Sequence, residues 1–145
     1  MRKCTVYIVA LALLAMMFSV PGAALAESSN PAADAACALI ELVIGENFAN
    51  HEVYASGNLI VVNLWQDGLA LEVTILKASG EDENNSDWVS LKSSVTNMAE
   101  SILGLMSAAG VDDMSLNLNV LNDLNTENVL LSLFNTYVIV DALAD

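Results

Sequence analysis

Oxygen-bearing side chains at short spacing are the clearest candidates for chemistry in this sequence. One loop contains a first set, namely Asp82, Asn84, Ser86 and Asp87. A second set lies nearer the C-terminus and consists of Asp123, Asn125 and Glu127. Because Ca²⁺ prefers oxygen ligands, Asp82, Asn84 and Asp87 are the candidates for a calcium site. Neither set has the glycine and glutamate of an EF-hand loop, and Asn and Asp also build ordinary turns, which is the simpler interpretation.

Nucleophilic and acid–base catalysis have little support in the sequence. His51 is the only histidine and lies in a polar segment, so we expect a solvated side chain. No cation neighbours Cys37 to activate its thiol for a Cys–His pair. Gly-x-Ser-x-Gly, a phosphate-binding glycine loop and zinc-ligand spacing are all missing. We therefore assign no catalytic residue and no cofactor. A small carboxylate-based hydrolase stays open as an alternative, because 18 acidic side chains offer many pairs.

The N-terminal segment is typical of a cleavable export signal. Arg2 and Lys3 precede an apolar run over residues 6–20, and Ala24-Leu25-Ala26 has the small-x-small pattern that signal peptidase recognises. We predict cleavage after Ala26, which would leave residues 27–145 as one secreted or extracytoplasmic domain. An uncleaved anchor is the alternative. No later apolar stretch reaches the length of a membrane span, so we expect no membrane association after cleavage.

Acidic residues dominate the charge of the chain. Four basic side chains stand against 18 acidic ones, for a formal charge of −14. Loss of Arg2 and Lys3 with the signal would lower this charge by two, to −16, and leave Lys77 and Lys92 as the basic side chains. Such a surface repels nucleic-acid phosphates and anionic lipids. It favours solubility, cations and basic partners.

Cys37 would be the only cysteine after cleavage, so it could form no internal disulfide. Its neighbours are alanines and a leucine, which favours burial as a small apolar side chain. The alternatives are an intermolecular disulfide and a free thiol.

Two helices are indicated by their spacing and their ends. Asn30 is a suitable N-cap and Pro31 a suitable first residue for a helix over residues 32–44. The apolar face we expect there contains Leu39, Leu42 and Val43, with Ala35 and Ala36 one turn earlier. The longest helix should cover residues 88–109, with Asp87 as its cap. Its apolar residues recur every three or four positions, and Gly110 follows its end.

Extended structure is indicated in two parts of the chain. Residues 53–65 are rich in β-branched and apolar side chains and read as a central strand, with a bend at residues 56–58. Residues 114–140 contain an alternating segment followed by two apolar runs, which predicts three antiparallel strands. In the alternating segment Ser115, Asn117 and Asn119 share one face. Asn117 and Asn119 on that polar face are our candidates for a partner surface.

Residues 69–79 fit two structures. The Asp-Gly pair before them favours a hairpin, whereas Asp67 as N-cap and Gly80 as stop favour a helix. Three short segments resemble a group of small exported proteins of unknown function from Gram-positive anaerobic bacteria. These segments are residues 65–70 (WQDGLA), Asp87-Trp88 and residues 122–132 (NDLNTENVLLS). The resemblance implies that residues 69–79 are helical, and we adopt that prediction. It implies no activity.

Together these patterns predict a single α+β domain. An N-terminal helix should precede one strand, two helices and a three-stranded antiparallel meander, with the helices on one face of a four-stranded antiparallel sheet. Export without a catalytic constellation favours a non-enzymatic extracytoplasmic binding or accessory module. Its partner would be an extracytoplasmic protein or a small ligand. The hydrolase and a calcium-binding protein are the alternatives.

Overall fold

The computed structural model describes residues 30–144. The predicted signal segment and its cleavage site lie outside the described residues. Within residues 30–144, no helix combines the length and the apolar character that a membrane crossing needs.

Helix α1 covers Pro31–Gly45 and begins as predicted. The Asn30 side chain accepts a hydrogen bond from the Ala33 amide at 3.2 Å, which confirms the predicted cap. The predicted apolar face is wrong for Leu39, Leu42 and Val43, which are exposed, whereas Ala36 is buried. The helix instead buries the stripe Ala33, Ala36, Cys37, Ile40 and Ile44. Apolar side chains lie on both sides of this helix, so apolar spacing alone did not identify the side that packs in the core.

Residues 51–64 form a hairpin, so the prediction of one long strand over residues 53–65 is wrong. Strand β1 covers His51–Ser56 and strand β2 covers Leu59–Leu64, with antiparallel pairing between them. Gly57 makes the turn at φ +58°, a conformation that glycine adopts without the steric cost of a Cβ. The bend expected at residues 56–58 is therefore a full reversal of the chain.

Helix α2 covers Leu69–Ala78, which confirms the helical prediction for this segment. Its predicted cap is wrong. Gly68 occupies the N-cap position, and Asp67 accepts a hydrogen bond from the Asn50 side chain at 3.4 Å. The cap comes from a distant turn, because the Asp123 carboxylate accepts from the Gly68 and Ala70 amides, each at 2.8 Å. Both hydrogen bonds lower the pKa of Asp123, and the bond from the Ala70 amide has the larger effect.

Helix α3 covers Ser86–Ala108 and is the longest described helix. Its predicted cap, Asp87, is also wrong. The Asn85 side-chain oxygen accepts from the Asp87 amide at 3.0 Å and from the Trp88 amide at 3.3 Å. Gly110 follows the end of the helix at φ +78°, as its position in the sequence indicated.

Strands β3, β4 and β5 cover Ser115–Asn122, Asn125–Phe134 and Tyr137–Asp141. All five strands form one sheet in the order β1-β2-β3-β4-β5, and β2 runs parallel to β3. The prediction of a four-stranded antiparallel sheet is therefore wrong, and the fold is α+β with a mixed five-stranded sheet. The hairpin supplies the extra strand. Since α2 and α3 return the chain to the end where β2 began, β3 must run in the same direction as β2.

All three described helices pack on one face of the sheet. Their buried residues join the inward side chains of β2, β3 and β4 in one apolar core. Leu116, Leu118, Leu131 and Leu133 are fully buried there. Trp88 of α3 lies in the same core, and its indole Nε1–H donates to the Asp141 carboxylate at 2.7 Å. Lys92 donates to the other Asp141 oxygen at 2.8 Å, so α3 is tied to the end of β5.

Candidate ligand-binding face

The face of the sheet that carries no described helix displays two rows of side chains across the strands. Strand register places one row as Tyr54, Val61, Asn117, Phe134 and Tyr137. The next row is Glu52, Asn63, Asn119, Ser132 and Val140. We call this surface the open face. It contains Asn117 and Asn119, the residues that the sequence pattern placed on a polar face.

A continuous hydrogen-bonded strip crosses four strands of the open face. We call Glu52, Asn63, Asn117, Asn119 and Ser132 the polar strip. Asn63 Nδ2 donates to Glu52 Oε2 at 3.0 Å, which links β2 to β1. Asn119 Nδ2 donates to Asn63 Oδ1 at 2.9 Å and to Asn117 Oδ1 at 2.8 Å. Ser132 Oγ donates to Asn119 Oδ1 at 2.6 Å, and this bond carries the strip onto β4.

Hydrogen bonding holds the polar strip in one arrangement. Asn63 and Ser132 are buried by their neighbours on the sheet, whereas Asn117 and Asn119 are half-buried and Glu52 is exposed. Among the described residues no buried side-chain nitrogen or oxygen lacks a partner. Asn119 is the centre, because three of the contacts above use its amide group. Side chains fixed in this way meet a ligand with little further loss of rotamer entropy.

Aromatic side chains stand at both ends of the row beside the strip. Tyr54 on β1 is 42% exposed, and Phe134 on β4 is 40% exposed. Tyr137 extends the second end at the start of β5. Exposed aromatic rings offer flat apolar area, and amide and carboxylate groups between them offer donors and acceptors. The open face therefore has the two components of a binding surface, apolar anchors and fixed polar groups.

The calcium candidates form turn contacts. Asp82 Oδ1 accepts from the Asn84 amide at 2.9 Å, the bond of an ordinary Asx turn. Asp87 lies in the first turn of α3, where the helix dipole stabilises a negative charge. In residues 30–144 no group of three or more His, Cys, Asp or Glu side chains is arranged to hold a metal ion.

The second oxygen-rich set also serves the fold. Asp123 caps α2, and Asn125 Oδ1 accepts from the Glu127 amide at 3.1 Å.

The carboxyl group of Asp141 has a lowered pKa as well. Burial acts to raise this pKa, but the Lys92 ammonium, the Leu143 amide and the Trp88 indole outweigh burial and lower it. Asp123 and Asp141 are thus held as ionised acceptors, the reverse of the raised pKa that a general acid needs.

His51 and Cys37, the remaining candidate residues, both lie in contacts that belong to the fold. His51 begins β1 and is half-buried, which corrects the expectation of a solvated loop side chain. Its Nδ1 donates to the Phe48 carbonyl oxygen at 2.8 Å. Cys37 is buried in α1, as its neighbours indicated. Burial, with the charges of Asp34 and Glu41, raises the pKa of the Cys37 thiol, so the nucleophilic thiolate is disfavoured.

Most residues of the open face could not be recognised from the sequence. The alternation of β3 identified Asn117 and Asn119, but Glu52, Asn63, Ser132, Tyr54 and Phe134 lie on strands whose pairing the sequence does not reveal. One signal was available: Asn63 interrupts an otherwise apolar strand, and a polar residue there requires a partner. Its partners, Glu52 and Asn119, come from both neighbouring strands.

Comparison of the chain with protein-family models, with curated proteins and with solved structures finds no match. The resemblance to exported proteins of Gram-positive anaerobes therefore stays a prediction. Two of its three segments are in contact, since Asp123 in one segment caps the helix that follows Asp67-Gly68 in another. This contact gives Asp123 and Gly68 a structural role in the fold.

Proposed function

We propose that this chain is a non-enzymatic extracytoplasmic binding module whose ligand lies across the open face. The observation that carries the proposal is the polar strip, fixed by hydrogen bonds and bordered by Tyr54 and Phe134 on a face without a described helix. The signal-like N-terminus supports the extracytoplasmic location.

A neutral, hydroxyl-rich polymer such as a polysaccharide fits this surface best. The formal charge of −14 disfavours anionic ligands. The strip is built from amides and a hydroxyl, with Glu52 as its one carboxylate, and such groups exchange hydrogen bonds with sugar hydroxyls. Aromatic rings pack on the apolar faces of sugar rings. A cationic ligand would instead require more carboxylates among the strip residues.

The length of the surface suits several sugar units. Tyr54 and Phe134 lie on strands β1 and β4, three strand spacings apart. At about 4.8 Å for each spacing, the two aromatic ends are separated by roughly 14 Å. A single sugar ring would reach one end only. We therefore expect oligosaccharides to bind more tightly as they lengthen until both ends are occupied.

The test is affinity electrophoresis of residues 27–145 through gels that contain neutral polysaccharides, with an anionic polysaccharide in a parallel gel. We expect at least one neutral polymer to retard the protein and the anionic polymer to leave it unaffected. Tyr54→Ala and Phe134→Ala should each weaken the retardation at least tenfold, because each removes one anchor.

Leu42→Ala is the matched control, since Leu42 is an exposed apolar residue on α1, away from the open face. It should bind like the unmodified protein, and melting temperatures should show that all variants are folded. Free migration in every neutral polymer, or equal retardation of the Tyr54 and Phe134 variants and the unmodified protein, would contradict the proposal.

A further inference from the structure

The two edges of the sheet differ in their protection. Strand β1 carries the charged side chain of Glu52, and helix α1 contacts β1 on the covered face of the sheet. Strand β5 pairs with β4 on one side, and none of the described residues pairs with its other side. Four consecutive residues of β5 are exposed and apolar, namely Tyr137, Val138, Ile139 and Val140. They include no lysine or proline, the residues that commonly protect an edge strand from pairing.

A shallow groove of about 770 Å³ runs between β5 and α3. Val138 and Ile139 form its strand side, and Val89 and Ser93 lie on its helix side. The register shift between β4 and β5 leaves Ile139 without a partner residue on β4, so it lies beside Val138 toward the groove. An extended segment along β5 would find free backbone groups at the edge and apolar side chains beside them.

Charge identifies the kind of segment that would fit. Glu83 lines the groove, and the groove cation, Lys92, is already bound to Asp141 and to the Glu83 carbonyl oxygen. The only other lysine in residues 30–144 is Lys77, on α2. A second copy of this acidic chain therefore has no positive patch to offer. A basic partner would be attracted to the whole surface as well as to Glu83.

We propose that β5 and its groove bind an extended segment of a basic protein, which adds to the sheet as a sixth strand. The segment has apolar residues at alternate positions, which contact Val89, Val138 and Ile139, and a lysine or arginine near Glu83. Because the bulge keeps the paired region short, the side chains in the groove supply most of the selectivity. This surface is separate from the open face and does not depend on the polysaccharide proposal.

The test uses residues 27–145 with a synthetic peptide as the probe, acetyl-Lys-Val-Thr-Val-Thr-Val-Lys-amide. The comparison peptide has glutamate in place of both lysines. In an NMR titration, the basic peptide should shift the backbone amide signals of residues 137–140. The acidic peptide should leave these signals unchanged. Glu83→Gln should weaken the basic peptide severalfold and reduce the salt dependence of its binding.

Ile139→Lys should weaken binding at least tenfold, because it places a charge in the groove against a basic peptide. Leu71→Lys is the matched control, since Leu71 and Ile139 are both 58% exposed and Leu71 lies on α2. Ile139→Thr replaces the lysine variant if that variant melts early.

Three results of the peptide titrations would each overturn the proposal. They are unchanged shifts at residues 137–140 at millimolar basic peptide, equal binding of the acidic peptide, and equal binding by the Ile139 variants. Sedimentation equilibrium of the protein alone should show a monomer. A dimer that the Ile139 variants abolish would assign the edge to a second copy and contradict the basic partner.

Discussion

The two faces of the sheet use the same strands for different purposes. On the face covered by the helices, Leu116 and Leu118 of β3 are fully buried in an apolar core. On the open face of the same strand, Asn117 and Asn119 are joined to their neighbours by directed hydrogen bonds. Apolar burial on the covered face stabilises the fold through contacts that have no preferred direction. Hydrogen bonds on the open face hold particular atoms in fixed positions.

This difference separates residues that maintain the fold from residues available for recognition. A hydrogen bond adds only about 0.5–1.5 kcal/mol to net stability, because water satisfies the same groups in the unfolded chain. A buried leucine contributes several times as much. Changes on the covered face should therefore reduce stability most, and changes on the open face should reduce binding most.

Leu118→Ala should have the largest effect on stability. Leu118 of β3 is fully buried between the sheet and the helices, so its truncation removes apolar contacts and leaves a cavity. We expect the free energy of unfolding to fall by about 2–5 kcal/mol. Urea denaturation measures this loss. Leu71→Ala at an exposed position of α2 should change it by less than about 0.5 kcal/mol. Similar losses for both variants would show that the covered face is packed differently.

Asp141→Asn should have the next largest effect, because it removes the charge that Lys92 contacts at 2.8 Å while keeping an oxygen for Trp88. We expect a loss of about 1–3 kcal/mol near neutral pH. Since the folded-state pKa of Asp141 is lowered, its stabilising contribution is present above the ordinary carboxyl pKa of about 3.9. That contribution is lost as the pH falls through the folded-state pKa.

The measurement for Asp141 is the melting temperature from pH 7 down to pH 2. The unmodified protein should lose stability toward acid more steeply than Asp141→Asn. Some acid dependence should persist in the variant, because Asp123 also has a lowered pKa. Parallel curves for the two proteins would show that the Lys92–Asp141 pair contributes nothing to stability.

Asn119→Ala tests the polar strip at its centre. The change leaves the buried Ser132 hydroxyl and the Asn63 amide each without one partner. We expect a loss of about 1–3 kcal/mol, nearer the lower limit if water enters at this half-exposed position. Because Asn63 Oδ1 loses its donor, the Asn63 side chain is held only through its Nδ2 bond to Glu52, and the NMR exchange rates of its amide hydrogens should rise. Unchanged exchange would indicate that the strip is not a connected network.

Local sequence signals identified the ends of helices better than they identified the distant residues that contact those helices. Asn30-Pro31, Gly80 and Gly110 marked helix ends because capping and left-handed glycine depend on neighbouring residues. The cap of α2 was missed because its carboxylate comes from Asp123, more than fifty positions away. The hairpin turn at Gly57 was underestimated because one glycine in an apolar segment also fits a bend.

The candidate site shows the same limit. Alternation along β3 was sufficient to place Asn117 and Asn119 on one face, since side-chain direction in a strand has a period of two. Joining Glu52 and Asn63 to them required the parallel pairing of β2 with β3. That pairing follows from the route of the chain through two helices, and no short segment of sequence specifies it.

Tyr54→Ala should have the smallest effect on stability and a large effect on binding. Tyr54 is 42% exposed at the edge of the open face. We expect a stability change below about 0.5 kcal/mol. Denaturant unfolding checks this value, and a loss above about 1 kcal/mol would show that Tyr54 belongs to the folding core.

The most direct measurement is an NMR titration of residues 27–145 with a soluble oligosaccharide from any neutral polymer that retards the protein. We expect the side-chain amide signals of Asn63, Asn117 and Asn119 to shift together with the Tyr54 and Phe134 ring signals. Leucine methyl signals from the covered face should stay unchanged. Shifts confined to the β5 groove or to the helices, with the open-face signals unmoved, would contradict the assignment of the open face as the ligand surface.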